Sequence, residues 1–223
     1  LNNQPDEACR NAIFAQLERY IVRRMITGAD TKSYNKTCKD FLSDQNKLNT
    51  NEIDQSDPAV LKGIRNVENK TGRLLLFWIE LYRRFNDPKH DIKALKYTYS
   101  LEHIMPQKWQ TYWIDIPSKK KPDGSTMSFE EAKLDRNEKI NYLGNMTLLT
   151  TNLNSSLRNY PFSKKMEGDG RKKGIISYAS LSVTKDDVVT PYNKGDSVWD
   201  ETKIEKRTTA LGEEILAIWP ALH

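Results

Sequence analysis

Cysteine and histidine are scarce in this chain. Its 223 residues include two cysteines, Cys9 and Cys38, and three histidines. The cysteines form no Cys-x-x-Cys pair, so the sequence predicts reduced thiols rather than a disulfide framework or a cysteine zinc site. Any histidine chemistry must use one of three side chains, of which His90 lies in a polar stretch and His223 ends the chain.

Long apolar runs are also missing. No segment approaches the ~20 apolar residues that span a bilayer, and the longest run, residues 74–81, is interrupted by Glu80. The first ten residues are polar, unlike a secretory signal peptide. We therefore expect no membrane partner and a cytoplasmic location. Because the chain begins with Leu1 and not Met, we also expect it to be a fragment of a longer protein.

Charge and size say less about function. The formal net charge is +5 and the charged fraction is 29%, which mildly favours a polyanionic partner but is unremarkable at this length. The length predicts one large domain or two intimately packed ones, with a hydrophobic core that needs no disulfides.

The first part of the sequence, residues 1–94, predicts a helical subdomain. Apolar residues at helical spacing predict helices at 6–28 and 33–48, then a polar loop at 48–58 and a third helix at 59–86. The third helix is apolar nearly all round, so we expect it in the core.

The rest of the sequence has a different texture. Residues 95–106 and 141–154 predict strands, with a tight turn or bulge at Gly144. A short helix is expected at 129–141, a helix or irregular turn at 155–165, and a closing amphipathic helix at 198–220 capped by Asp200. We expect residues 95–174 to form a core and residues 175–223 to pack on it. The fold class is therefore mainly α with a small β motif, α+β.

One histidine and two asparagines form a pattern. His103 lies in LEHIMPQ, between a strand-like segment and Pro106, whereas Asn145 and Asn154 are nine residues apart in the second strand-like segment. Asn is poorly suited to strands, which indicates local hydrogen-bonding roles. Asx turns and a helix cap explain each asparagine separately, but not the joint pattern with the histidine.

That joint pattern resembles the HNH (ββα-metal) nuclease motif. Residues 102–107 (EHIMPQ) resemble the end of its first strand, residues 145–149 (NMTLL) its second strand, and Asn154 its third motif residue, which starts the helix. With IVRRMITGADTKSYNK upstream and a Trp…Ile…Arg…Leu pattern before a final Trp-Pro, the chain resembles the C-terminal nuclease domain of GmrSD-type modification-dependent restriction enzymes and related phosphorothioate-sensing anti-phage nucleases.

The resemblance implies a metal-dependent DNA endonuclease module, nicking or cutting both strands, in a restriction or anti-phage defence enzyme. It implies His103 as general base, Asn145 as the residue that positions it through the turn backbone, and Glu102 and Asn154 as oxygen ligands of Mg²⁺ or Mn²⁺. No structural zinc is expected, since the cysteines that bind it in many HNH proteins are absent here. The implied partners are double-stranded DNA, which includes modified phage DNA, and an N-terminal NTPase or sensor domain of the same protein.

Basic residues around the motif are implied as contacts to the DNA backbone. The candidates are Arg158, Asn159, Lys164, Lys165, Lys119, Lys120, Lys121, Arg171, Lys172 and Lys173. Three alternatives stay open: the lysine runs can be solvated loops, Asn159 can replace Asn154 as the metal-facing amide, and Arg23 and Arg24 either bind phosphate or pack in the core. For the whole chain the alternative function is a non-cleaving nucleic-acid-binding or interaction module.

Overall fold

Helices dominate the computed structural model, which describes residues 6–30, 32, 34–43, 54–90 and 94–221. The helices are α1 (Glu7–Ile26), α2 (Tyr34–Ser43), α3 (Asp57–Gly63), α4 (Asn69–Asn86), α5 (Phe129–Lys139), α6 (Thr151–Leu157), α7 (Phe162–Glu167), α8 (Ser182–Thr184), α9 (Thr190–Asn193) and α10 (Glu201–Ile218). Strands β1 (Ser100–His103) and β2 (Met146–Leu149) form one two-stranded sheet. This composition confirms the predicted α+β class.

The chain divides into two compact units. The first comprises residues 1–64 and 212–223, and the second comprises residues 65–211. The boundaries predicted at residues 94 and 174 follow a change in sequence texture and stay a prediction, whereas compactness divides the chain at other positions. All residues of the HNH-like pattern lie in the second unit.

In the first unit, α1 supplies more buried side chains than any other described helix. Asp6 caps it by accepting a hydrogen bond from the Ala8 backbone N–H at 3.1 Å. Its buried face includes Ile13 and Tyr20, and also Arg23 and Arg24, each 1% exposed. These arginines therefore pack inside the unit, and of the two roles considered for them, phosphate binding is not supported by their burial.

The prediction of a single helix over 59–86 is wrong, because the structure forms two helices, α3 and α4, joined by a turn. Gly63 ends α3 where the backbone passes α1 so closely that a Cβ atom would lie 2.3 Å from the Ile26 carbonyl oxygen. The Val67 N–H, which would continue the helical ladder, instead donates to the Asn141 carbonyl at 3.3 Å. Side-chain periodicity does not register such backbone contacts.

In the second unit, β1 and β2 pair antiparallel, with Ser100 opposite Leu149 and His103 opposite Met146. Every residue of β2 is buried, so both faces of this strand are covered. The strands are shorter than predicted: residues 95–99 precede β1, and residues 151–154 already belong to α6. The chain turns into that helix at Thr150, whose carbonyl accepts the Asn154 N–H at 3.0 Å.

The closing helix α10 matches its prediction. Asp200 accepts the Lys203 N–H at 3.0 Å, as a cap should, and Ile204, Leu211 and Ile215 are fully buried. The helix predicted over 33–48 appears as α2, and its last predicted residues lie outside the described part of the chain. Among the described residues, no helix combines the length and apolar character needed to cross a membrane.

Candidate active site

The turn that follows β1 is fixed by Asn145. Its carbonyl accepts the Ile104 N–H at 2.9 Å, which extends the sheet by one step. Its fully buried side chain accepts the Met105 N–H at 2.9 Å and donates to the Met105 carbonyl at 2.8 Å. A further bond runs to the Ile140 carbonyl at 2.9 Å. Asn145 therefore holds the backbone just beyond His103, and its amide groups are fully engaged in doing so.

The segment that carries Asn145 is held in turn by residues near the C-terminus. Trp199 donates its indole N–H to Asn145 Oδ1 at 3.2 Å. The Arg207 guanidinium donates to the carbonyls of Gly144 and Met146 at 2.8 and 2.6 Å, and the Gly144 N–H donates to Thr208 Oγ1 at 3.1 Å. These contacts join α10 to the start of β2.

Sequence reasoning missed Trp199, Arg207 and Thr208 as supports of the site. A signal was present, because Arg207 lies between Ile204 and Leu211 at helical spacing, on the face of α10 predicted to be apolar. A charged residue on a buried helical face needs partners, and here the partners are the carbonyls beside Asn145.

Asn154 lies on α6, which packs along β1. Its Nδ2 donates to the Leu101 carbonyl at 2.8 Å and to Ser100 Oγ at 3.0 Å. Because Nδ2 is engaged, Oδ1 is the part of the amide that is left to accept or coordinate. The structure thus places His103 on β1, Asn145 just before β2 and Asn154 on the helix that follows β2.

His103 ends β1 with a half-buried side chain. Its Nε2 is buried and has no hydrogen-bond partner among the described residues. Burial, assisted by the positive charge of Lys165, lowers the pKa of His103 to about 4. The imidazole is therefore neutral at neutral pH, which is the form that can accept a proton.

Glu102 faces a buried lysine. The Lys165 ammonium, 0% exposed, donates to Glu102 Oε1 at 2.5 Å and to the His103 carbonyl at 2.8 Å. Burial raises the pKa of Glu102 and lowers the pKa of Lys165, and in both groups the charge of the partner opposes the shift. The pair clamps the end of β1 to α7.

The donors near His103 differ in how well they suit a divalent cation. Within the described ranges, no three His, Cys, Asp or Glu side chains cluster as metal ligands would. Asn154 Oδ1 fits an oxygen-preferring cation such as Mg²⁺. Glu102 does not fit, because a buried ammonium already holds its carboxylate and would repel a second cation.

Two of the predicted DNA contacts are corrected by their placement. Lys165 is completely buried against Glu102 and cannot reach a phosphate in this structure. Lys119 is paired with Asp135 at 2.6 Å and with the buried Glu201 at 2.7 Å, so it also serves the protein interior. Desolvated cations of this kind are held by their counter-charges.

The other predicted DNA contacts remain accessible to different degrees. Arg171, Lys172 and Lys173 are exposed and line a groove beside α6, and Lys164 lies over the Tyr160 ring at 3.8 Å. Arg158 and Lys120 are exposed, Asn159 is half-buried, and Lys121 is paired with Glu131 at 2.5 Å. Lys164, Arg171, Lys172 and Lys173 thus give the neighbourhood of α6 a basic surface.

Comparison with known proteins gives one match. Residues 16–214 match the model of a family described as the C-terminal domain of GmrSD restriction endonucleases. No curated protein and no solved structure matches the chain. The matched segment contains β1, β2, α6 and nearly all of α10.

Proposed function

The chain belongs to the family of GmrSD restriction endonuclease C-terminal domains, and from that premise we propose that it is the DNA-cleaving module of a restriction or anti-phage defence enzyme. The family indicates a nuclease-related module with DNA as its substrate. The proposal adds that hydrolysis is of the HNH type, with His103 as general base. An N-terminal domain of the same protein would supply recognition of modified DNA and nucleotide-dependent control.

The proposed step follows from the side chain of His103. Neutral imidazole takes a proton from a water molecule, the resulting hydroxide attacks the phosphorus atom, and the bond from phosphorus to the 3′ oxygen breaks. The products are a 5′ phosphate and a 3′ alkoxide that takes a proton from solvent. A bound Mg²⁺ or Mn²⁺ would neutralise charge that develops on the phosphate. Asn154 Oδ1 is the donor on this chain that would hold it.

The observation that carries the proposal is the buried Nε2 of His103. Buried polar atoms nearly always have a hydrogen-bond partner, and this atom has none among the described residues. Such an atom, at a turn fixed by Asn145, is suited to accept a proton from a water molecule. The phosphate of bound DNA would raise the His103 pKa and strengthen it as a base.

Plasmid nicking with Mg²⁺ or Mn²⁺ tests the proposal. The wild-type chain should nick or cut supercoiled plasmid, and His103→Ala should be about 10²–10⁴-fold slower while keeping its melting temperature. Equal metal-dependent cleavage by both proteins would exclude His103 as the base. If both proteins bind DNA and neither cleaves it, the result would favour the non-cleaving nucleic-acid-binding module.

A further inference from the structure

The pairing of Glu102 with Lys165 bears on which residues bind the cation. The ammonium of Lys165 has no exposed surface, and Glu102 is 9% exposed. Separating a buried ion pair costs much free energy, because each charge would be left without a partner in a medium of low polarity. Moving Glu102 onto a cation would leave Lys165 in that state.

The geometry of the sheet separates Glu102 from His103. Successive side chains of a strand point to opposite faces, so these neighbours lie on different sides of β1. Glu102 is opposite Thr147, and residues opposite each other share a face. The Thr147 hydroxyl is fully buried and lies 2.8 Å from the Thr184 hydroxyl, so protein covers the face that Glu102 occupies.

Lys165 links this covered face to the candidate base. One ammonium group contacts both the Glu102 carboxylate and the His103 carbonyl. The carboxylate fixes the ammonium, and the ammonium fixes the backbone at His103. Asn145 holds the next two residues. Together with Asn145, the pair fixes the backbone position from which the His103 side chain extends.

We propose that Glu102 is not a metal ligand but the counter-charge of Lys165, and that this pair positions His103. The proposal rests on the proposed function, since it assigns roles within the same site. Glu102 and Lys165 are positioning residues, which act through His103 and touch neither DNA nor cation.

The histidine count allows a direct test of cation binding. With three histidines, protein labelled with ¹³C at histidine Cε1 should give three cross-peaks, and His103→Ala assigns the one of interest. Substoichiometric Mn²⁺ should broaden the His103 peak selectively, because the ion is paramagnetic and bound nearby. Glu102→Gln should keep this broadening.

The outcomes separate this inference from the proposed function. If the wild-type His103 peak is not selectively broadened, the cation site itself is wrong and the inference falls with it. If the wild type is broadened but Glu102→Gln is not, Glu102 is a ligand and only the inference is overturned.

Adjacent lysines provide a matched pair for the positioning role. Lys165→Met should lower kcat for plasmid nicking by about 10–100-fold, the cost of a misplaced catalytic group, with KM for DNA unchanged. Lys164→Met, next to it but half-exposed, should raise KM and leave kcat unchanged. A raised KM with normal kcat in Lys165→Met would overturn positioning and restore Lys165 as a DNA contact.

A second variant covers the possibility that Lys165→Met does not fold. Glu102→Gln combined with Lys165→Met removes both charges together, so no buried charge lacks a partner. This double variant should fold, keep the KM of the wild type and still show the reduced kcat, because the bond to the His103 carbonyl is absent. Wild-type kcat in the folded double variant would contradict the proposal.

Discussion

Arg23 in the first unit and Lys165 in the second are both buried, positively charged side chains, and their surroundings differ. In the first unit, Arg23 donates to the carbonyls of Gln55 and Trp219, both at 2.7 Å, and to Asp57 at 2.6 Å. In the second unit, Lys165 contacts a buried carboxylate and the carbonyl of His103. Arg23 thus joins three segments of its unit, whereas Lys165 fixes the residue that the proposed reaction uses.

Burial of a charge therefore does not by itself identify a functional site. Both side chains have at most 1% exposure, so burial does not distinguish them. Their partners do, because Arg23 contacts no residue of the proposed reaction and its carboxylate partner is half-exposed, at 50%. Variants at the two positions should therefore separate stability from catalysis.

The largest effect on stability is expected in the first unit. Arg23→Met removes the hydrogen bonds that Arg23 donates to the carbonyls of Gln55 and Trp219 and should lower the free energy of unfolding by roughly 3–5 kcal/mol. Cleavage per folded molecule should be unchanged. Urea denaturation with a nicking assay measures both, and Lys62→Met, an exposed cation of the same unit, should change stability by less than about 0.5 kcal/mol. A specific loss of kcat in Arg23→Met would contradict the claim that Arg23 affects stability and not catalysis.

Asn145 should show both effects at once. Asn145→Ala removes the bonds to Met105 and Ile140 and should lower the free energy of unfolding by about 2–3 kcal/mol. It should also reduce kcat about 10-fold or more, because the turn beyond His103 loses its support. Chemical denaturation and single-turnover cleavage below the melting temperature check the two parts. Normal kcat in this variant would mean that the turn does not position His103.

The pH profile should reflect the environment of His103. The neutral imidazole is the active form, and a pKa lowered to about 4 keeps it neutral at lower pH than a free histidine. The kcat/KM of the wild type should therefore stay level as pH falls through 6.5 and decline only towards pH 4. Arg23→Met should leave this limb in place. An acidic limb at about 6.5 in the wild type would contradict the effect of burial on His103.

The smallest expected effect concerns the basic surface beside α6. Each phosphate contact removed should reduce the slope of log affinity against log salt by ~0.9 on duplex DNA. Alanine at Arg171, Lys172 or Lys173 should show this reduction in fluorescence anisotropy titrations at several salt concentrations. Lys119→Ala should not, because that side chain is paired inside the protein. Unchanged slopes at all three exposed positions would remove this surface from the DNA interface.

Local patterns in the sequence predicted much of the fold. Helical periodicity located α1 and α10, Asp200 was identified as the cap of α10, and sequence texture placed the two strands. The break between α3 and α4 was not predictable in this way, because it depends on the backbone of Gly63 meeting α1. Contacts between distant segments leave little trace in a local pattern.

The candidate site shows the same limit at the level of single side chains. Lys164 and Lys165 are identical neighbours in FSKK, yet one lies over Tyr160 and the other is fully buried. The direction of α7 decides between them, and only the tertiary fold sets that direction. The role of Glu102 depends on the same choice, since its partner is the buried lysine.

The contacts of Gly144 and Asn145 with the closing helix affect when the site is completed during synthesis. Four hydrogen bonds at the start of β2 come from Trp199, Arg207 and Thr208, residues translated more than fifty positions later. A ribosome that has finished β1, β2 and α6 has therefore made the groups proposed for catalysis but not the supports that hold them. Chains that stop before residue 199 would lack all four bonds, which ties the assembly of the site to the completion of the chain.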